Sequence, residues 1–426
     1  MPHPTSLDLS RFVRGDDLVL WGQAAGRPRL LTGLLAEQAA SLGELRCFTG
    51  FHLGEADEPA PPWTTVSYTA MGNRAAQRAG RLEIVPVHYS DLAAALATGD
   101  FAVDVVLIQV TRPGPDGRHR LAYAADYVTA ALRHARTVLA EVNPAAPLIP
   151  DAPVVEPERV AAWVSARSAP LETAIPETGP LERRIAARVA GFVEDGATLQ
   201  VGLGKIPEAV AGRLTGRADL GIHTGALGDG LAALIESGAV TNRRKGSDAG
   251  RSVTGLVLGS RALYDFVDGH GEIALRPVGY THDPAVLASL PRLTAINSAV
   301  EVDLTGAVNC EVAAGRYVGA VGGALDFARG ARRSPGGVSI VALPSTAGAV
   351  SRIVGRLSGP ATIGAADACV IVTEHGVADL RGRTMSERRD LITALAHPRH
   401  RAELDRSPHL PGAVTRAVAP REQEPA

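Results

Sequence analysis

Short continuous apolar runs, each closed by a glycine or a polar turn, alternate along this chain with stretches of helical periodicity. The first run is Asp17-Leu-Val-Leu-Trp-Gly22, followed by a small-residue turn at 23–28 and an apolar helical face over 30–36. Strand, glycine turn and helix form the opening unit of a parallel α/β domain. Further strands are predicted over 45–49, 65–68, 82–87 and 136–142. The clearest is Val103-Asp-Val-Val-Leu-Ile-Gln-Val110, whose unbroken apolar character fits a central parallel strand covered on both faces. Residues 1–10 read as loose, 144–158 with its five prolines as irregular, and the Pro-, Arg- and Glu-rich tail from Pro411 as frayed.

The plan then starts again. Asp195-Gly-Ala-Thr-Leu-Gln-Val-Gly-Leu-Gly204 repeats Gly15–Gly22, Asp219-Leu-Gly-Ile-His-Thr-Gly225 matches Glu44-Leu-Arg-Cys-Phe-Thr-Gly50, and Asp367–Val372 matches Asp104–Gln109. Three matches in one order predict two related open α/β domains with mainly parallel sheets, residues 1–180 and 181–426, with a boundary near 175–185. The stretch 219–230 reads as the loop after a buried strand, with His223 at the strand end, and Val338–Pro344 as a strand running into a turn.

Composition narrows the function classes. A chain of 426 residues exceeds one ordinary core, and 46% apolar with 21% charged residues describes a globular protein. A net charge of −2 offers no basic surface to nucleic acid or an anionic membrane. No apolar run reaches the roughly 18–20 residues that span a bilayer. The start, Met1-Pro-His-Pro-Thr-Ser6, lacks a secretory pattern, so a cytoplasmic location is expected. Cys47, Cys310 and Cys369 are far apart without CxxC spacing, and the histidines show no metal spacing. Neither a disulfide framework, a metal site nor a permanently bound cofactor is expected.

Two glycine-rich stretches could carry chemistry. In Val201-Gly-Leu-Gly-Lys-Ile-Pro-Glu208, glycines between strand and helix can let backbone N–H groups approach an anion, or can serve a tight turn. The stretch has neither Walker A nor dinucleotide-fingerprint spacing. In Val321-Gly-Gly-Ala-Leu-Asp-Phe327 the glycine pair can present N–H groups to an oxyanion, and is equally a turn. Asp229, Asp283, Glu311, Asp326 and Glu374 are acids near turns, where capping is the commoner role than catalysis. A structural role is also the commoner reading for His223. In the first half, Gln109 and Asn143 at strand ends are candidates for substrate contact.

Taken in order, Val106–Val110, Ala125-Asp-Tyr127, Leu199–Pro207, Asp219–Thr224, Ile296-Asn-Ser298, Gly322-Gly323, Asp326-Phe327, Pro344-Ser-Thr-Ala347, Val372-Thr-Glu-His-Gly376 and Ala396-His-Pro398 resemble the acetyl-CoA hydrolase/transferase family, close to its 4-hydroxybutyrate CoA-transferase branch. The resemblance covers nearly the whole chain. It implies an active site between two α/β domains, coenzyme A or an acyl-CoA as substrate, and a homodimer or larger homo-oligomer. It also implies a ping-pong route in which a carboxylate attacks the thioester, forming an anhydride and then an enzyme-CoA thioester. Substrate-binding positions carried over are Gly202, Leu203, Gly204, Lys205, Ile206, Gly279, Asn297, Gly322, Gly323 and Ala324.

The centre of that machinery is changed. The family's nucleophilic Glu falls at Gly225, its frequent Met at Ala226, its Asp and Asn at Gly279 and His282, and its Gln at Ala324. Ala365 lies near a frequent Arg. These mostly smaller groups predict an enlarged pocket without the anhydride route. Asp229 is the carboxylate nearest in sequence, but relatives share it. Gly225 (the vacant position), Asp229, His223 and His282 are therefore the catalytic candidates. Three readings emerge: a thioester enzyme repurposed for direct acyl transfer, hydrolysis or cyclisation; a CoA-transferase using a substitute carboxylate; and a CoA-binding pseudoenzyme.

Overall fold

The computed structural model describes residues 7–54, 58–175, 177–368 and 370–408. The expectations for residues 1–6, for Cys369 and for the tail from Pro411 lie outside them. The first sheet comprises β1 (Leu18–Trp21), β2 (Arg46–Phe48), β3 (Thr64–Ser67), β4 (Leu82–Ile84), β5 (Val105–Val110), β6 (Thr137–Val142) and β7 (Ala162–Ser165). Its order is β4-β3-β2-β1-β5-β6-β7, and every pairing is parallel. All six residues of β5 are buried, as its unbroken apolar run predicts for an interior parallel strand.

The second sheet repeats the arrangement with β8 (Thr198–Val201), β9 (Gly221–Leu227), β10 (Ser252–Val257), β11 (Ile273–Leu275) and β12 (Leu293–Asn297). The order is β11-β10-β9-β8-β12, then Val338–Ala342, Val370–Thr373 and an antiparallel edge, Gly376–Asp379. Seven positions thus share one strand order in the two sheets. The first two sequence matches pair β1 with β8 and β2 with β9, in agreement with that order. The third does not: β5 corresponds to β12, and Val370–Thr373 to β7. Interior parallel strands are all apolar, so composition alone does not distinguish them.

Other expectations also change. Residues 7–10 are ordered: Asp8 caps a 3-10 turn over Leu9–Arg11, and Leu9 is fully buried. The stretch 219–230 is largely strand, because pairing with β10 carries β9 through Gly225 to Leu227, and a helix begins at Asp229. His223 therefore lies inside the strand rather than at its end. Among the described residues, no helix is long and apolar enough to cross a membrane.

Strand order reverses between β1 and β5 and between β8 and β12, and open α/β sheets form ligand crevices at the carboxyl ends of such strands. The two halves meet there through backbone. His88 bridges Gly322, Thr69 bridges Ala320, and Ala124 bridges Leu256. Asp151 holds Arg276 at 2.7 and 2.9 Å. One apolar cluster runs through both sheets, from Leu20 and Val106 to Ile222, Ile340 and Val372.

The crest of the first sheet depends on Tyr127, which is fully buried. Its hydroxyl donates to Trp21 O at 2.8 Å and accepts from Gly50 N at 2.9 Å. Tyr127→Phe leaves both backbone groups unpaired, and we expect a loss of about 1–3 kcal/mol. Urea unfolding followed by circular dichroism measures it; an unchanged midpoint would contradict the bridging role.

Candidate functional site

Three segments of the second half converge beside the β8/β12 reversal. Gly202 follows β8, and its N–H donates to Ile296 O at 3.0 Å. Leu203 is exposed, Gly204 has a φ of 124°, and Lys205 and Ile206 open the helix Lys205–Ala211. Asn297 ends β12 and exchanges two amide hydrogen bonds with Gln200, at 3.1 and 3.0 Å. Gly322 and Gly323 precede the helix Ala324–Arg333, and Gly322 O accepts from Tyr89 N of the first half at 3.1 Å.

Gly225 and Gly323 face the same imidazole. A Cβ on Gly225 would lie 3.2 Å from His282 Cε1 and 3.5 Å from Nε2, with Phe327 at 4.0 Å. A Cβ on Gly323 would lie within 2.3 Å of His282 Nε2, so only glycine permits this approach. The His282 ring packs edge-on against Tyr89 at 5.0 Å and against Phe327 at 4.7 Å, and is 3% exposed. The expected enlargement of the pocket in front of Gly225 is thus not found: His282 turns inward from the short helix Val278–Thr281 and fills the space.

Both inward histidines are linked through Thr281. His223 Nε2 lies 3.1 Å from Thr281 O, and His282 Nδ1 lies 2.9 Å from Thr281 Oγ1. Burial, and secondarily the Lys245 charge, pushes His223 down to about 3. Burial, and secondarily His223, pushes His282 down to about 3. Each is therefore a neutral imidazole at physiological pH.

The carboxylates lie elsewhere. Asp229 binds the Ser260 hydroxyl and accepts from Ser260 N at 3.1 Å, tying a helix start to the turn after β10. Asp283 caps the helix Pro284–Ser289, Asp326 accepts from Ser90, Glu374 from Ser345, and Glu311 from Thr362 and Tyr317. Glu208, not singled out in the sequence, lines a cavity of about 10 Å³ with Gly202, Leu203 and Ala226. Burial and then the neighbouring Asp229 raise its pKa. Successive strand residues point to opposite faces, so this crevice lies across β9 from His282.

Several candidates stand apart. Gly279 is exposed, and a Cβ there would meet nothing within 4 Å. Ala365 O accepts from Arg388 at 2.6 Å. The polar groups of Gln109 and Asn143 are engaged: Gln109 donates to Ala25 O and Arg27 O, and Asn143 donates to Gln109 and Ser168 O. They hold loops of the first half together. Tyr89 carries no motif, and its place beside His282, like those of Thr281 and Phe327, is set by the folded structure.

The first half of the chain, residues 6–154, matches the acetyl-CoA hydrolase/transferase N-terminal domain, and residues 259–407 match the C-terminal domain of the same family. The chain is similar to the 4-hydroxybutyrate coenzyme A transferase of Clostridium kluyveri, 35% identical over 335 residues covering 78% of each chain. It is also similar to the succinyl-CoA:cyclohexane-1-carboxylate CoA transferase of Geobacter metallireducens, 31% identical over 406 residues covering 93% of each. Among solved structures, RipA from Yersinia pestis superposes with a TM-score of 0.85 at 34% identity, covering 94% of each chain. The 4-hydroxybutyrate CoA-transferase of Porphyromonas gingivalis gives 0.79 at 32%, covering 93% of this chain and 94% of that one.

Two outcomes are expected from the packing of His282. Gly225→Glu introduces a side chain into occupied space, and we expect a loss of about 1–3 kcal/mol, as for other overpacked cores, relieved when His282→Ala is added. A double-mutant cycle in urea measures the coupling; additive effects would show that the two positions do not compete. Second, the histidines titrate from 6.5 when free but near 3 when folded. The unfolded chain binds the extra protons, so their contribution is complete above 6.5 and is lost as pH falls towards 3. Each adds a slope of up to about 1.4 kcal/mol per pH unit in that window. His282→Asn should flatten the acid limb of the unfolding midpoint, and an unchanged slope would mean His282 is not buried neutral.

Proposed function

Because this chain belongs to the acetyl-CoA hydrolase/transferase family, we propose that it processes acyl-CoA thioesters by direct acyl transfer, hydrolysis or cyclisation, without a carboxylate nucleophile at the family position. The observation that carries this reading is the His282 imidazole lodged between Gly225 and Gly323. The residue at 225 is glycine, and a side chain there would press on the imidazole.

The chemistry follows from the protonation state. An imidazole whose pKa is held near 3 is a poor base at neutral pH, since efficient bases titrate close to the working pH. A neutral imidazole is instead a good N–H donor. If the Thr281 hydroxyl donates to Nδ1, Nε2 carries the hydrogen and points it into the gap beside Gly323. There it joins the backbone of the Gly322-Gly323 loop in polarising the thioester carbonyl and holding the tetrahedral oxyanion. Water or a nucleophile within the acyl group attacks the carbonyl carbon. The new C–O or C–N bond forms, the C–S bond breaks, and CoA leaves as thiolate, taking up the proton released by the nucleophile.

Glu208 supports a second reading. It is a half-buried carboxyl with a raised pKa beside Gly202 and Leu203, and could act as a substitute nucleophile for ordinary CoA transfer.

The test is incubation with a panel of acyl-CoAs, with and without acetate, followed by intact-protein and small-molecule mass spectrometry with borohydride trapping. CoA release or an altered acyl product without an adduct is the expected result. His282→Ala should lower kcat by about 10²–10³, the scale for losing one oxyanion donor. An adduct on Glu208 with acetate-dependent exchange would replace this reading with the second, and binding without turnover would leave a pseudoenzyme.

A further inference from the structure

One buried side chain of the first half carries no charge and has every hydrogen-bonding position filled. Gln23 follows β1. Its Nε2 donates to the Tyr89 hydroxyl at 2.7 Å and to Asp126 Oδ2 at 2.8 Å. Its Oε1 accepts from the Tyr68 hydroxyl at 2.6 Å and from Phe51 N at 3.1 Å. A carboxamide has two donors and two acceptor positions, so the group is saturated. Gly50 makes room for it: a Cβ there would lie 2.5 Å from Oε1.

The partners fix which way the amide points. Phe51 N can only donate, so it requires the oxygen. Burial pushes the Asp126 carboxyl up to about 6, which leaves it ionised at neutral pH and able only to accept. A flipped amide would set donor against donor at Phe51 and acceptor against acceptor at Asp126, and buried unpaired groups are costly. The four partners come from four segments: the turn after β2, the end of β3, the start of the helix Tyr89–Thr98, and the stretch between β5 and β6.

Two of these partners lead to His282. The Tyr89 ring stands edge-on to the imidazole, and its backbone N–H holds Gly322 O. The Asp126 carbonyl accepts from Val278 N at 3.1 Å, at the start of the short helix that delivers Thr281 and His282. Asp126 N and Ala125 N both donate to Gly255 O, and a Cβ on Gly255 would lie 3.0 Å from Gly225 O. One amide thus braces both the neighbour of the ring and the helix the ring comes from.

We propose that Gln23 is a positioning residue for His282: by holding Tyr89 and Asp126 it keeps the imidazole on the Thr281 hydroxyl, in the tautomer whose N–H faces Gly323. Its consequence for turnover rests on the reading of His282 as the oxyanion donor.

Histidine-selective 15N NMR of the full chain tests it, with the His282 signals identified by their loss in His282→Asn. In the parent, the two ring nitrogens are expected well apart, as for a single neutral tautomer. Gln23→Met keeps the length of the side chain without its hydrogen bonds. Tyr89→Phe keeps the ring and removes the hydroxyl that Gln23 holds. Both should draw the two signals together, Gln23→Met the more strongly, and Tyr89→Phe decides the matter if Gln23→Met does not fold. In turnover, Gln23→Met should lower kcat by about 10- to 100-fold at unchanged KM, the scale for a misplaced reacting group. His282 signals at their parental positions in every folded variant would overturn the assignment, whether or not the chain turns over an acyl-CoA. Moved signals with a parental kcat would leave Gln23 in its role and overturn the donor reading of His282.

Discussion

The contact between His88–Tyr89 and Gly322 fixes the candidate site in the fold. Gly322 lies at a φ of 55°, in the region glycine adopts freely, and its carbonyl accepts from Tyr89 N. The next residue, Gly323, touches His282, and the Tyr89 ring packs against the same imidazole. One short stretch of the first half thus sets both the glycine loop and the group that loop faces. The site belongs to neither half alone, which explains why a chain built from two similar sheets needs the isolated backbone bridges between them.

Gly225 and His282 are packed as a pair. A glycine at 225 leaves room for a ring, and the ring of His282 takes it, with Phe327 closing the remaining side. Close packing disfavours both a void and an overlap, so a change at one of these positions is felt at the other. The surrounding acids meanwhile keep ordinary structural duties as caps and loop ties. The arrangement has the consistency of a maintained protein interior.

Much of the scaffold was legible in the sequence because buried parallel strands are continuous apolar runs with glycine at their ends. β5 and β8 are found this way. The end of β9 was not, since its length is decided by pairing with β10, a partner that local pattern does not reveal. The fate of the space at Gly225 was also hidden: it depends on which way His282 leaves a one-turn helix and on Tyr89, remote in the chain. Gln109 and Asn143 stood out as polar residues at strand ends, and they are that, but their hydrogen bonds are spent on neighbouring loops. A sequence shows a polar group and not whether it is already paired.

The hydroxyl of Tyr127 has a mechanical consequence. By donating to the end of β1 and accepting from the turn after β2, it removes the independent motion of two neighbouring loops. Either loop can shift only by carrying the other or by breaking a bond shielded from water. The rim of the first sheet is therefore one stiff lip, and its shape is set when the chain folds.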